Sequence, residues 1–163
     1  MNCDKDSLLV CDYDATWPKR FSELTARVKA ALGVLVLQVE HVGSTAVPGL
    51  ISKPVIDMDV VLGSPEVIRR LAILGYAHES ELGIAGREAF RWPVGEDRHN
   101  LYVLTADALE LRRHLAFRDA LRADRAVRDA YADLKRSLAL RYRNDRNGYT
   151  EAKSAFIAKI LES

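Results

Sequence analysis

Hydrophobic positions along the chain follow two different periods. Over residues 15–32, Phe21, Leu24, Val28 and Leu32 return at steps of three and four, the apolar face of a helix that Gly33 ends. VLVLQVEHV (34–42) is short, continuous and rich in Val, and reads as a buried strand. GSTAVPGLISKP (43–54) is turn material, and VIDMDVVL (55–62) is a second strand. Ser64-Pro65-Glu66 fits the start of a helix running to about Leu74, since Ser suits the N-cap and Pro the first turn. GYAHES (75–80), REAFRW (87–92) and HNLYVLT (99–105) predict three further strands. From Asp107 the period is helical, over 109–122, 125–143 and 149–163, with Asp145–Gly148 as the break before the last helix.

One helix, strands with a single crossover helix, and then a helical tail predict an α+β (α/β) domain. A small mixed sheet over about 33–105 would be flanked by helices, with C-terminal helices over about 106–163. The 163 residues suit one domain, 1–163, with no repeat, low-complexity tract or long linker. The net charge of +1 argues against a dedicated nucleic-acid binder. Residues 1–105 carry 11 Lys/Arg against 14 Asp/Glu, and residues 106–163 carry 13 against 9. That C-terminal excess would attract an anion such as a triphosphate, or simply line a solvated helical surface. Cys3 and Cys11 form no disulfide framework, the N-terminus is acidic where a signal peptide wants cations, and no stretch is long enough for a membrane span. A cytoplasmic protein is expected.

The second strand poses the chemical question. Residues i and i+2 of a strand share a face, so Asp57 and Asp59 point together while Ile56, Met58 and Val60 point into the core. Two carboxylates this close repel, and burial costs each its hydration. Mg²⁺ (or Mn²⁺) between them reverses that balance, since Mg²⁺ takes one or two carboxylates and completes its shell with phosphate oxygens and water. The same pattern also suits a solubilising exposed face. Gly43 and Ser44, about a dozen residues upstream, favour the metal reading: Gly lets a phosphate approach backbone N–H groups and Ser adds a hydroxyl. No P-loop, zinc spacing or nucleophile elbow is present.

A hydrophobic strand, Gly-Ser, a dozen residues and Asp-x-Asp in a second strand resemble the nucleotidyltransferase superfamily. YDATWPKRF (13–21), EHVGSTAVPGLISKPVIDMDVVL (40–62), ELGIAGREAFRW (81–92), HLAFRDALR (114–122) and YTEAKSAFI (149–157) together resemble the GrpB family, also called UPF0157. The resemblance implies the nucleotidyltransferase fold, with Gly43 and Ser44 as the phosphate-gripping pair and Asp57 and Asp59 as the first two metal carboxylates. The superfamily often adds a third acid on a later strand. HNLYVL (99–104) has none, and Tyr102 stands where GrpB relatives commonly have a second His. The base then moves to His99, with Glu88, Glu96 and Asp97 as further choices. Relatives fused to dephospho-CoA kinase imply a link to CoA biosynthesis by family analogy only.

Arg87 and Arg91 share a strand face and can grip phosphates or an acidic co-substrate. Lys153 on the last helix and Lys53 at the mouth of the second strand can reach the same phosphates. Surface arginines, a solvated lysine and a structural ion pair are their plain alternatives. His41 reads as a satisfied core histidine. His114, Arg118 and Asp119 suit helix-packing ion pairs, and Trp17 and Trp92 suit packing. The expected function is Mg-dependent transfer of NMP from an NTP, ATP for preference, to an unknown small-molecule acceptor. The alternative is a non-catalytic nucleotide-binding or folding and assembly-partner module on the same fold.

Overall fold

The computed structural model describes residues 10–62, 66–143 and 145–162. Among the described residues five α-helices and five strands follow in the order α1 (Trp17–Leu32), β1 (Val36–Val42), β2 (Ile56–Leu62), α2 (Val67–Ile73), β3 (Ala77–His78), β4 (Arg87–Arg91), β5 (His99–Leu104), α3 (Leu109–Ala123), α4 (Arg125–Arg141) and α5 (Arg146–Leu161). The strands form one mixed sheet in the order β1-β2-β5-β4-β3. β2 runs parallel to β5, and the other three pairings are antiparallel. This is the expected α+β class with its helical tail.

Most local features follow the sequence signals. Pro18 sits in the first turn of α1, where its missing N–H costs nothing, and Gly33 ends the helix at φ 57°. Asp124 caps α4 by accepting from the N–H groups of Ala126 (2.7 Å) and Val127 (3.2 Å). Two expectations need correcting. Residues 33–35 form a 3-10 turn, so β1 starts at Val36 and Val34 is 96% exposed. The positive φ of Gly33 turns the chain before pairing can begin. The last helix starts at Arg146, so Gly148 lies inside it. There its N–H donates to the capping Asp145 at 2.9 Å, and a Cβ would come within 2.7 Å of the Tyr142 ring. The proposed cap at Ser64-Pro65 lies outside the described residues.

The sheet separates two cores. On one face α1 and α2 pack Val28, Leu32, Val67 and Leu71 against Met58, Val60, Leu101 and Val103. On the other, α3 covers one end through Leu111 against Val61 and Leu104. Beyond the sheet, α3 and α4 pack Leu121, Tyr131 and Ala132 on the irregular segment Val47–Ile51. No helix among the described residues is long and apolar enough to cross a membrane. One half of the second sheet face is left for chemistry.

Candidate functional site

Register brings the polar residues to that half-open face. Asp57 pairs with Asn100 of β5, and Asp59 with Tyr102. On the other side Asp59 pairs with Glu40 of β1. Partners in a ladder share a face, so Glu40, Asp57, Asp59, Asn100 and Tyr102 stand together, and Met58 and Val60 turn into the opposite core as the alternation requires. The Asn100 amide donates to Asp57 Oδ1 at 2.6 Å. His114 of α3 bonds through Nδ1 to Asp59 Oδ2 at 2.7 Å and through Nε2 to Glu110 Oε1 at 3.1 Å.

Asp59 is fully buried, and its Oδ1 has no hydrogen-bond partner. A carboxylate oxygen in that state loses hydration with nothing in return. Burial pushes the carboxyls of both Asp57 and Asp59 up. The Asn100 bond on Asp57 and the His114 bond on Asp59 pull the other way. Burial also opposes charge on His114, but the bond to Asp59 and the nearby carboxylates raise it overall. Gly43, at φ 71° and ψ −172°, lies so close to Asp57 that a Cβ would overlap Oδ2 and stand 3.0 Å from Cγ.

A group of three lysines adjoins the acid pair. The Nζ of Lys53 lies 4.3 Å and that of Lys153 4.6 Å from the centre of the Tyr149 ring. Lys135 is buried, donates to the Ile51 carbonyl at 2.5 Å, and faces Tyr131. The charge of Lys153 acts on Asp57, and that of Asp57 on Lys135. Burial, with Lys153 and Lys53 adding repulsion, pushes the Lys135 ammonium well down. The Ser44 hydroxyl hydrogen-bonds to Tyr131, so Gly43-Ser44 sits between the carboxylates and the lysines. The sequence marked Lys53 and Lys153. Lys135 and Tyr131 of α4, Tyr149 of α5 and Asn100 of β5 went unmarked, because a helix or strand position shows what it faces only once the packing and register are known.

Arg87 and Arg91 do lie on the aspartate face: Arg91 pairs with Asn100 and Arg87 with Leu104. Arg91 is exposed, whereas Arg87 is 9% exposed and stacks on Tyr102 at 4.7 Å. His99 is not brought to the site. It pairs with Ile56, so its ring falls on the α1 side, between the Tyr76 hydroxyl (2.7 Å) and the Asp97 carbonyl (2.8 Å). Glu96 and Asp97 bond to Arg27 and Arg20 of α1, and Glu88 to His78. The reason is parity, since His99 and Glu88 each stand one residue out of step with the positions that face the aspartates. His41 is a buried histidine stacked on Phe21 and bonded to Thr45, and burial pushes it down to about 4.

The basic excess of the last third is spent on carbonyls. Arg118 donates to His41 O (3.1 Å), Arg122 to Ala46 O (2.7 and 3.0 Å), Arg128 to Pro48 O (3.4 Å) and Lys135 to Ile51 O (2.5 Å). Arg118 also pairs with Glu40 at 2.5 Å. Four cations from α3 and α4 thus fix the path of residues 41–51, which carry Gly43 and Ser44.

A family model described as GrpB protein matches residues 7–163. The chain belongs to the GrpB family. A UPF0157 protein of Halalkalibacterium halodurans is 38% identical over 163 residues, spanning 96% of this chain and 82% of that one. The crystal structure of GrpB from Enterococcus faecalis superposes with a TM-score of 0.83 at 33% identity, covering 94% of this chain and 95% of that one. Cid1 poly(U) polymerase, a structure with Mg and 3'-dATP bound, matches at a TM-score of 0.52 and 14% identity, over 82% of this chain and 48% of that one. At that identity the likeness is one of fold, and this GrpB chain shares the nucleotidyltransferase-like fold.

The donors present suit a hard divalent cation. Asp59 offers a buried oxygen without a partner and Asp57 a second carboxylate beside it. Among the described residues no cluster of three or more His, Cys, Asp or Glu forms a metal site. Two carboxylates leave the remaining coordination to water and phosphate, the pattern Mg²⁺ accepts.

Proposed function

We propose that this protein is a metal-dependent nucleotidyltransferase that moves NMP from an NTP, ATP for preference, to a small acceptor. The observation that carries the reading is an acid pair placed beside a group of lysines. The buried Asp59, with its orphaned oxygen, and the half-buried Asp57 adjoin three lysines, one of them buried. Each cluster repels itself, and a magnesium-bound triphosphate offsets both at once.

Asp57 and Asp59 would hold Mg²⁺, which when bound would neutralise phosphate charge and polarise the reacting phosphoryl group. Lys53, Lys135 and Lys153 would take the phosphates as point charges, and Ser44 would add a hydroxyl donor. Gly43 lets the triphosphate lie against the backbone. Asn100 and His114 fix the carboxylate planes. An acceptor oxygen attacks the α-phosphorus, the bond to the β-phosphate bridge breaks, and pyrophosphate leaves with the electron pair. Lys135 and Lys153 would offset the charge that collects on the pyrophosphate.

A second reading, nucleotide binding without turnover, is favoured by Tyr102 and Asn100, which face Asp59 and Asp57 where a third acid would serve. Calorimetric titration with ATP, with and without Mg²⁺, tests the shared part. Binding is expected to need Mg²⁺ and to weaken at least tenfold in Asp57→Asn and Asp59→Asn, with folding retained. Equal affinity without metal, or unchanged affinity in both variants, would exclude the metal-dependent enzyme, and no nucleotide binding at all would exclude both readings. Pyrophosphate release across acceptor pools then separates them.

A further inference from the structure

Given that reading of the site, Arg87 bears on the second reactant. Three rows of side chains cross the aspartate face: Asp57, Asn100 and Arg91; Asp59, Tyr102 and Ala89; Val61, Leu104 and Arg87. The charge of Lys153 acts on Asp57 at the first row and that of Asp57 on Lys135, while Arg87 belongs to the third row and its charge acts on Asp59. At about 4.8 Å per strand and 3.3 Å per residue, the Arg87 Cα lies about 10 Å across and about 13 Å along the sheet from that of Asp57. The small Ala89 in the middle row gives the Arg87 side chain room to fold back over Tyr102.

Arg87 is 9% exposed, and its Nε–H is buried without a partner among the described residues. Among the described residues, Nη2 donates to the Glu81 carbonyl at a long 3.3 Å. A planar cation with an unused donor and a weak neutral partner suits an oxyanion, which would replace the carbonyl with charge-assisted bonds. The chemistry of the neighbouring side chains points the same way. Transfer to a hydroxyl needs a base, yet β5 presents Asn100 and Tyr102. Both nitrogens of His114 face carboxylate oxygens, Glu40 is held in an ion pair by Arg118, and His99 and Glu88 lie across the sheet. An acceptor whose attacking oxygen is already ionised needs no base.

We propose that the acceptor is an oxyanion, a phosphomonoester or a carboxylate, held by Arg87 beside Asp59, and that its own ionised oxygen is the nucleophile. That oxygen bonds to the α-phosphorus as the α–β bridge breaks; pyrophosphate carries off the electron pair, and no proton changes hands.

The test is calorimetry on the full chain, saturated with Mg²⁺ and a non-hydrolysable ATP analogue, with inorganic phosphate or acetate as titrant. One of the two anions is expected to bind at a single site. Phosphate alone would assign a phosphomonoester, acetate alone a carboxylate, and both an acceptor defined by charge. Arg87→Gln should weaken the anion at least tenfold and leave the nucleotide within about twofold. Arg87→Lys, which keeps the charge but loses the fork, should weaken it less. Lys153→Gln should show the reverse pattern, weakening the nucleotide and sparing the anion. The proposal is overturned if neither anion binds the native protein. It also fails if the Arg87 variant that folds keeps its anion affinity, or loses nucleotide affinity as steeply. Should the analogue itself not bind, the nucleotidyltransferase reading fails, and the same titrations on the bare protein, with Lys153→Gln as control, still decide the Arg87 subsite.

Discussion

Gly43 is where backbone and chemistry constrain each other most tightly. Its φ of 71° and ψ of −172° belong to a region that other residues enter at a cost of about 1–3 kcal/mol. A Cβ there would also press on the Asp57 carboxylate. Gly43→Ala is therefore expected to lower stability by about 2 kcal/mol in denaturant unfolding and to weaken Mg-ATP binding more than that loss explains, because Asp57 must turn away. Equal stability and affinity would mean the close approach has no role. The sequence singled out this residue as a place where a phosphate can approach the backbone, but its contact with the Asp57 carboxylate follows only from the packing of the turn on β2. Lys135 was not legible. An interior lysine at a helical position reads as solvated, and only the packing of α4 on Ile51 buries it. His99 misled for the opposite reason: its chemistry suits a base, but strand parity sends it to the wrong face.

Helix α3 works as a ruled edge. Glu110, His114, Arg118 and Arg122 follow one another at four-residue steps, and they meet in turn His114, Asp59, Glu40 with His41 O, and Ala46 O. The apolar stripe through Leu111 and Leu121 runs beside it and fixes the helix on the sheet. A polar stripe of period four next to an apolar one is visible in the sequence. Its targets are not, because they lie about 55 to 80 residues upstream and depend on how α3 crosses the sheet. Arg122 touches no acid of the site and holds the Ala46 carbonyl with two nitrogens. Arg122→Ala should cost about 1–3 kcal/mol by leaving a charge-assisted bond unmade and should weaken Mg-ATP binding several-fold through the Gly43–Ala46 turn. Arg122→Lys should restore much of the stability and less of the binding. A variant with native affinity would show that the turn keeps its shape without the clamp. The element boundaries that the sequence missed, at Val36 and Arg146, were each displaced by one glycine whose role only the neighbouring atoms reveal.

At the scale of the whole molecule, one sheet face is devoted to folding and the other to charge. The pH profile should carry both. His41 is pushed down to about 4 by burial from an ordinary 6.5. Between those values the unfolded chain binds a proton that the folded one refuses, so stability is full above 6.5 and lost as pH falls toward 4. At 1.36 kcal/mol per unit the loss approaches about 3 kcal/mol. His41→Asn should flatten that limb in urea unfolding followed from pH 7 to 4, and a limb that persists would assign it elsewhere. Asp57 works in the opposite sense. Its carboxyl is raised, so its burden is complete at neutral pH and eases on acidification. Fold class, strand order of appearance and the acid pair could be read from hydrophobic period and spacing. Separation of the sheet faces, and with it the split between the lysine and arginine ends of the site, required the register.

Magnesium and a triphosphate would join the two charged clusters, and anomalous diffraction from crystals grown with Mn²⁺ and a non-hydrolysable ATP analogue tests this. A manganese peak is expected about 2 Å from oxygens of both Asp57 and Asp59, with the triphosphate running past Ser44 to Lys53, Lys135 and Lys153. A metal-nucleotide complex bound elsewhere, or none while those carboxylates keep only Asn100 and His114 as partners, would contradict it.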